Sequence, residues 1–591
     1  MRIKYAVLFF ALITAHFFLP RLMRADPFVF ISSDGTEVAS YSEEEITKYK
    51  AYYGLDKPLW KQYLHYLAGI ASGNLGYSIY FKDTVVRLVF KRLIWTAGIV
   101  CVSLLFSLVL GLCLGSLSAW FIGKRLDGFL YHAMTGLSEI PSFLTANAIL
   151  MLFIIRWRVL PTSGGITPFL TLSFTLPVIA DIIKHAVLPA LTLSLLKTPD
   201  FYFVTRSAML RQLQKKYVET AQAKSLGAFT IAVKHCLPNA SNPIITRFLL
   251  SLQTLFNGAL IVENIFKYPG IGRLIRDAVF YRDYLLLQGY FFYCYRVYLV
   301  HQCIGRSDIP AAGKERRVKN PRNTLPYVPC LFLLAVVCAA CLPYFPFLKS
   351  GTVPSGQALC PPSPEHWFGT DDLGIDLFAS VCYGAKSSLL LSVGSALVAA
   401  IGGSIIGMLA GYAGGAVDAL IVSIIDFFIG IPDLLLMVVL GVFLGPGLVN
   451  IIFAISLVSW VMPAKIVRSE VLKMKTEPYI RLSKVYGAHF WHIFAWHFWK
   501  PLFSIMLVSV IKIMNKAILA EASLAYLGLG DPLSKSWGMT ITRAMDFPNI
   551  YLTDFWKWWL VFPTAVMVCT VLSVAAIGRR MELSIGGRTR S

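Results

Sequence analysis

The sequence predicts an all-α membrane protein: two six-span bundles in a pseudo-two-fold arrangement, about twelve transmembrane helices in all. The first observation is composition. Hydrophobic residues make up 56% of the 591, charged residues only 15%, and mean hydropathy is +0.64, whereas soluble domains are roughly 25% charged. The second is the run of long, nearly uncharged stretches at 101–122, 143–155, 387–412, 434–462 and 558–577; a spanning helix needs about 20 apolar residues. The third is an internal repeat. Arg206-Ser207, Tyr217 and His235 recur as Arg468-Ser469, Tyr479 and His497, each offset by 262 (468−206), and Asp127 and Pro141 recur as Asp418 and Pro432, offset by 291 (418−127). A parallel repeat of this kind sets two similar bundles about an axis along the membrane normal.

Expected spans in the first half lie near 5–20, 96–121, 131–155, 186–205, 243–263 and 284–303. In the second half they lie near 326–345, 386–411, 420–444, 446–464, 502–520 and 556–577. Residues 1–20 carry Arg2 and Lys4 before an apolar run, but Arg21-Leu22-Met23-Arg24 follows in place of a small-x-small cleavage site, so a short uncleaved span is expected. The smaller offset downstream means that the first half carries extra residues, placed at 156–185 with Pro161, Gly164, Gly165 and Pro168. The halves divide into 1–305 (core about 90–303), a basic linker at 306–325, and 326–591 (core about 384–578). The linker holds Arg306, Lys314, Arg316, Arg317, Lys319 and Arg322. Six spans from a cytoplasmic N-terminus return the chain inside, where such a segment belongs. Both termini are therefore expected in the cytoplasm, with the chain multi-pass in a cell inner membrane. Residues 346–385 agree, with Glu365, Asp371, Asp372 and Asp376 against Lys349.

The formal net charge of +22 falls in short segments between apolar runs, as the positive-inside bias predicts, and not in a basic domain; no nucleic-acid partner is expected. The eleven cysteines are scattered, and the Cys338/Cys341 pair sits on an expected span, so packing is the plainer reading. No cofactor, metal-ligand cluster or catalytic constellation is expected, and no G-x-x-x-x-G-K-[ST] phosphate cradle occurs.

Between the fourth and fifth spans of each half lies a charged helical segment. In the first half it runs from Lys216-Tyr217-Val218-Glu219-Thr220-Ala221 through Ser225 and Gly227 to His235-Cys236-Leu237-Pro238. Small residues, a turn signal and a second short helix describe a compact cytoplasmic knob suited to a partner's groove. An ordinary basic loop is the bland alternative; recurrence in both halves favours the knob.

The sequence resembles the oligopeptide and dipeptide ABC-importer permeases, as a B-type subunit followed by a C-type subunit on one chain. B-type resemblance rests on Tyr53-Gly54-Leu55-Asp56-Lys57-Pro58-Leu59, Gly73-Asn74-Leu75-Gly76-Tyr77-Ser78, Glu263-Asn264-Ile265-Phe266, Pro269-Gly270-Ile271-Gly272-Arg273-Leu274 and Arg282-Asp283-Tyr284. C-type resemblance rests on Phe368-Gly369-Thr370-Asp371-Asp372-Leu373-Gly374-Ile375-Asp376, Tyr383-Gly384-Ala385, Leu409-Ala410-Gly411-Tyr412, Glu521-Ala522-Ser523-Leu524, Leu527-Gly528-Leu529-Gly530 and Ser536-Trp537-Gly538. The resemblance implies a type I importer fold, peptide uptake, a periplasmic substrate-binding protein, and coupling loops docked on cytoplasmic ABC ATPase subunits. The residues so implied are Tyr217, Glu219, Ala221, Ser225, His235 and Pro238 in the first loop and Tyr479, Arg481, Gly487 and His497 in the second.

Departures are informative. The family's coupling motif runs Glu-Ala-Ala, three residues, then Gly; the first half has Ser225 at the glycine, and the second has Arg481-Leu482-Ser483 for Glu-Ala-Ala. The segment 289–303, with Arg296 and His301, makes a poor sixth span. Pro141 and Pro432 are expected to break equivalent third helices along the solute pathway. Intramembrane charges are functional candidates: Glu139, Asp426, Glu263, Lys512, Lys516 and Glu521, with Glu263 and Glu521 in bracing positions after each fifth span. A nickel or other small-solute permease on the same scaffold and an ion-coupled secondary transporter remain the alternatives.

Overall fold

The computed structural model describes residues 43–52, 54–153, 160–170, 175–293, 327–344, 351, 353–532, 534–548 and 550–588, with 10, 13–14, 17–18, 29–31 and 37–39 nearer the N-terminus. The linker 306–325, most of the expected first span and residues 294–303 of the sixth lie outside these. The chain separates into two compact units, one of residues 13–311 and one made chiefly of residues 312–591.

In the first unit the helix Val85–Trp120 packs along Leu176–Leu213. Its 36 residues span about 54 Å at 1.5 Å per residue, more than the roughly 30 Å hydrocarbon layer, so the helix extends beyond it. Small residues set the contact. A Cβ on Gly111 would lie 2.3 Å from Phe201 Cβ, and one on Gly115 2.8 Å from the Tyr202 carbonyl oxygen. Hydroxyls fasten the same seam: Ser107 Oγ donates to the Ser194 carbonyl at 3.0 Å and Ser194 Oγ to the Ser103 carbonyl at 3.3 Å. Small and hydroxyl side chains are how helices associate where apolar burial gives no driving force.

The second unit repeats this construction. Leu377–Ala413 packs on Leu448–Ser459 and Val461–Met474. Asp376 caps its start, accepting from the Ala379 N–H at 2.9 Å. Gly403 and Gly407 meet the carbonyl oxygens of Trp460 and Ala464, each 2.3 Å from where a Cβ would stand. Ser456 Oγ donates to the Ser395 carbonyl at 3.3 Å, the bond that Ser194 makes to Ser103, at offsets of 262 (456−194) and 292 (395−103).

Among the described residues, seven helices have the length and apolar composition to cross a membrane, or eight if one bent pair counts as a single span. Part of the difference from twelve is local. The expected third span of the first half is two pieces, Arg125–Glu139 and Ser142–Leu152. The expected fifth lies inside Ser241–Ile265, a single helix of 25 residues. The only strands among the described residues are the antiparallel pair Val29–Ile31 and Glu37–Ala39.

Candidate functional site

Each knob begins where the fourth-span helix ends. In the first, Lys216–Ala223 leads into a turn, then a short helical stretch over 228–239 that contains a π-turn at Ile231–Cys236. In the second, Pro478–Val485 leads into the same turn, and Phe490–Ile493 with the π-turn Phe494–Phe498 runs on into Trp499–Tyr526. The interiors match position by position at the 262 offset. Val218, Ile231 and Cys236 in the first and Ile480, Ile493 and Phe498 in the second are fully buried. Burying one apolar side chain contributes about 1.5–3 kcal/mol, so three facing positions suffice to hold the two arms together.

The turn is also the same, despite different residues. Ser225 has φ +55° and Gly487 φ +79°. Leu226 N–H donates to the Ala221 carbonyl at 3.3 Å, and Ala488 N–H to the Ser483 carbonyl at 3.0 Å. Ser225 thus adopts the left-handed backbone that glycine takes freely. Ala221 is buried against the knob core; its counterpart Ser483 donates to the Tyr479 carbonyl at 2.9 Å and lies 3.2 Å from His497 Nε2. The first knob is tied down by Tyr217 Oη to Gln212 at 3.1 Å, Gln212 Nε2 to the Asn239 carbonyl at 2.9 Å, and Asn239 Nδ2 to the His235 carbonyl at 2.7 Å.

What differs is the outward surface. Glu219, Lys224 and Pro238 are exposed on the first knob; Arg481, Leu482, Tyr486, Trp491 and Trp496 are exposed on the second, Tyr486 to 86%. The bulk of Leu482 is presented outward, not wedged between the arms.

The two prolines occupy matching helix breaks. Pro141 precedes Ser142–Leu152 and Pro432 precedes Asp433–Leu444, each bonded from its carbonyl to the fourth residue onward, Thr145 N–H at 3.1 Å and Leu436 N–H at 3.0 Å. In the second unit the segments Gly415–Gly430 and Asp433–Leu444 meet at 91°.

Glu263 and Glu521 are buried and fully engaged. Glu263 accepts from Thr96 Oγ1 at 2.6 Å and from the Gly272 N–H at 2.6 Å. Glu521 accepts from Ser536 Oγ at 2.5 Å. Thr96 in turn accepts from the Ile271 N–H, and Ser388 from the Trp537 N–H. Each carboxylate therefore staples the end of the fifth-span helix to the start of an amphipathic helix, Ile271–Phe280 or Trp537–Asp546. Both side chains are thus held inside their own units by hydrogen bonds.

The residue-by-residue reading missed an ion pair in each unit. Asp127 and Arg206, and Asp418 and Arg468, appear in the sequence only as repeat anchors, yet each pair is a bidentate bridge. The signal was available: both members recur together. It also missed Asp433, which Lys516 Nζ contacts at 2.5 Å. Lys512 pairs with Glu582 at 2.9 Å. Among the described residues, no group of three or more His, Cys, Asp or Glu could hold a metal ion.

Comparison with known proteins places two matches to one family, the binding-protein-dependent transport system inner membrane component, at residues 111–306 and 403–590. The chain is 35% identical over 262 residues to the dipeptide transport system permease protein DppC of Bacillus subtilis strain 168, covering 44% of this chain and 79% of that protein. It is 32% identical over 268 residues to the dipeptide transport system permease protein DppB of Escherichia coli strain K12, covering 42% and 78%. It is 32% identical over 261 residues to the oligopeptide transport system permease protein OppC of Bacillus subtilis strain 168, covering 44% and 84%.

Proposed function

The chain belongs to the binding-protein-dependent transport system inner membrane component family, whose domain it carries twice, and from that premise we propose that it forms the whole transmembrane pathway of an ATP-driven peptide importer. The family is one of transport permeases, and the chain is a multi-pass membrane protein by its helices. Peptide as the cargo follows from the names of the relatives, DppC, DppB and OppC. Separate cytoplasmic ATPase subunits drive it and a periplasmic binding protein feeds it; the absence of a phosphate-cradle sequence in this chain is in keeping with that division.

The observation that carries the reading is the pair of knobs with one interior and one turn geometry, in a chain whose outward knob surfaces have diverged. A fold that keeps a projecting element while its sequence drifts keeps it for docking. The reading places residues 1–305 and 326–591 as the B-type and C-type halves, with both termini and the 306–325 linker in the cytoplasm of an inner membrane. Pro141 and Pro432 open the third helices beside the pathway.

Two experiments test this. ATPase subunits should co-purify with the chain from detergent-solubilised membranes, and cells bearing the system should accumulate radiolabelled dialanine in an ATP-dependent manner. A chain that purifies without ATPase, or imports dialanine on an ion gradient alone, would refute the reading. A cysteine at Gly313 should react with an impermeant reagent only after permeabilisation.

A further inference from the structure

Resting on the peptide-import reading, we infer that the Asp433–Lys516 ion pair is a solute-contacting station of the pathway, which exchanges its internal contact for the terminal ammonium and carboxylate of a peptide.

Depth comes first. Asp433 opens the 12-residue helix Asp433–Leu444, which ends at the turn Gly445-Pro446-Gly447, so it stands about 18 Å from that turn at 1.5 Å per residue. Lys516 lies ten residues before Tyr526, the end of Trp499–Tyr526, or about 15 Å. The two helices thus give the pair similar rises from their ends, and both residues fall inside the expected spans 420–444 and 502–520.

Exposure comes second. The side chains of Lys516 and Asp433 are 40% and 48% exposed, though Lys516 Nζ sits 2.5 Å from Asp433 Oδ2. Glu263 and Glu521, by contrast, are enclosed. An ion pair half open within two expected spans faces water, since exposure of both charges to lipid tails is costly. It also stands beside the helix break at Pro432, where the neighbouring segments diverge by 91°. Discontinuous helices are where transporters commonly build their solute sites.

Chemistry comes third. A free peptide presents one ammonium and one carboxylate, the two partners that Asp433 and Lys516 already supply to each other. The ion pair is therefore satisfied when the site is empty and has matching charges for a zwitterion when it is occupied. No ion pair stands at the matching positions of the other half, whose Asp200–Arg247 pair at 2.7 Å joins the fourth-span and fifth-span helices elsewhere along their length. By the 291 offset Asp433 corresponds to Ser142, and by the 258 offset of Glu521 and Glu263 (521−263) Lys516 corresponds to Gly258. The Asp433–Lys516 station is therefore not repeated position for position.

The test uses the full chain in membranes with its ATPase subunits, with labelling read above that of the eleven native cysteines. In Lys516→Cys the unpaired Asp433 should make a cationic methanethiosulfonate react about tenfold faster than an anionic one. In Asp433→Cys the order should invert, and millimolar dialanine should slow both reactions about threefold. Lack of reaction at both positions, or equal rates with the two reagents, overturns the proposal. The neutral pair Asp433→Asn with Lys516→Met leaves no unpaired charge, so it should reach the wild-type level in the membrane and import dialanine at about a tenth of the wild-type rate. Unchanged import by that variant overturns this proposal alone; absence of dialanine import by the unmodified chain overturns the importer reading beneath it.

Discussion

The Arg206 guanidinium holds both carboxylate oxygens of Asp127, through Nε at 2.9 Å and Nη2 at 3.0 Å. Arg468 holds Asp418 in the same manner at 2.5 and 2.7 Å. In each unit the bridge joins the start of the broken third helix to the fourth-span helix that leads into the knob. Ser118 completes the first bridge, donating to Asp127 Oδ1 at 2.5 Å and accepting from Arg206 Nε at 3.0 Å.

Removing one partner of this clamp should cost more than removing both. Asp127→Asn or Arg206→Met is expected to lower stability by about 3–5 kcal/mol, because a largely buried charge is left alone. The double variant should recover most of that loss. Thermal unfolding of the purified chain in detergent reads both. Burial pushes the Asp127 carboxyl up, but the hydrogen bonds from Arg206, Ser118 and the Gly123 N–H outweigh it and hold it below the ordinary carboxylate range. The clamp's stabilisation is therefore complete above the ordinary carboxylate pKa and lost as pH falls through the depressed one. Between pH 7 and 5 the cost of Asp127→Asn should not change.

Close helix approach predicts a position-specific sensitivity to a single methyl group. Gly407→Ala places a Cβ 2.3 Å from the Ala464 carbonyl oxygen, whereas Gly402→Ala meets nothing within 4 Å. The first should destabilise by about 1–3 kcal/mol, the usual cost of overpacking, and the second should be neutral. Equal melting temperatures for the two variants would contradict the packing described.

Ser225 carries backbone strain that Gly487 does not. Left-handed backbone costs an L-residue roughly 1–2 kcal/mol, so Ser225→Gly should stabilise the first knob and Gly487→Ala weaken the second by a similar amount. Amide exchange over 216–240 and 478–500 would register both changes. Slower exchange in the first knob and faster in the second is the expected pair of results.

Outward divergence of the knobs predicts unequal docking. Glu219→Lys should reduce ATPase co-purification and peptide uptake more than Arg481→Glu, which restores the family's residue type at an exposed site. Ala221→Trp should be harsher still, since Ala221 is buried in the knob core and insertion there costs about 1–3 kcal/mol. Equal losses from Glu219→Lys and Arg481→Glu would show that the surface difference has no bearing on coupling.

The repeat made much of this fold readable. Offsets between Arg206 and Arg468, or Tyr217 and Tyr479, placed the knobs, because equal spacing survives where side chains drift. Periodicity could not reveal that Ser103 and Ser194, or Asp127 and Arg206, meet, since those contacts join residues some 80 to 90 positions apart. Proline at 432 announced a break, but a missing N–H and a fixed φ do not determine a 91° turn; packing of Gly415–Gly430 and Asp433–Leu444 on different neighbours does. Asp433 was overlooked because an acid beside a proline reads as an ordinary first-turn residue of a helix. Only Lys516, 83 residues onward, gives it another meaning.

Glu263 and Gly270 constrain each other's descent. A Cβ at Gly270 would stand 2.2 Å from the Glu263 carboxyl, and one at Gly538 2.8 Å from Glu521 Oε2. Neither member of either pair is free to drift singly: alanine at the glycine collides with the acid, and loss of the acid strips the Gly272 N–H of its acceptor. Descendants of this chain should therefore trade these positions together, with a shorter acid accompanying any side chain that replaces the glycine, so lineages differing at one are expected to differ at both.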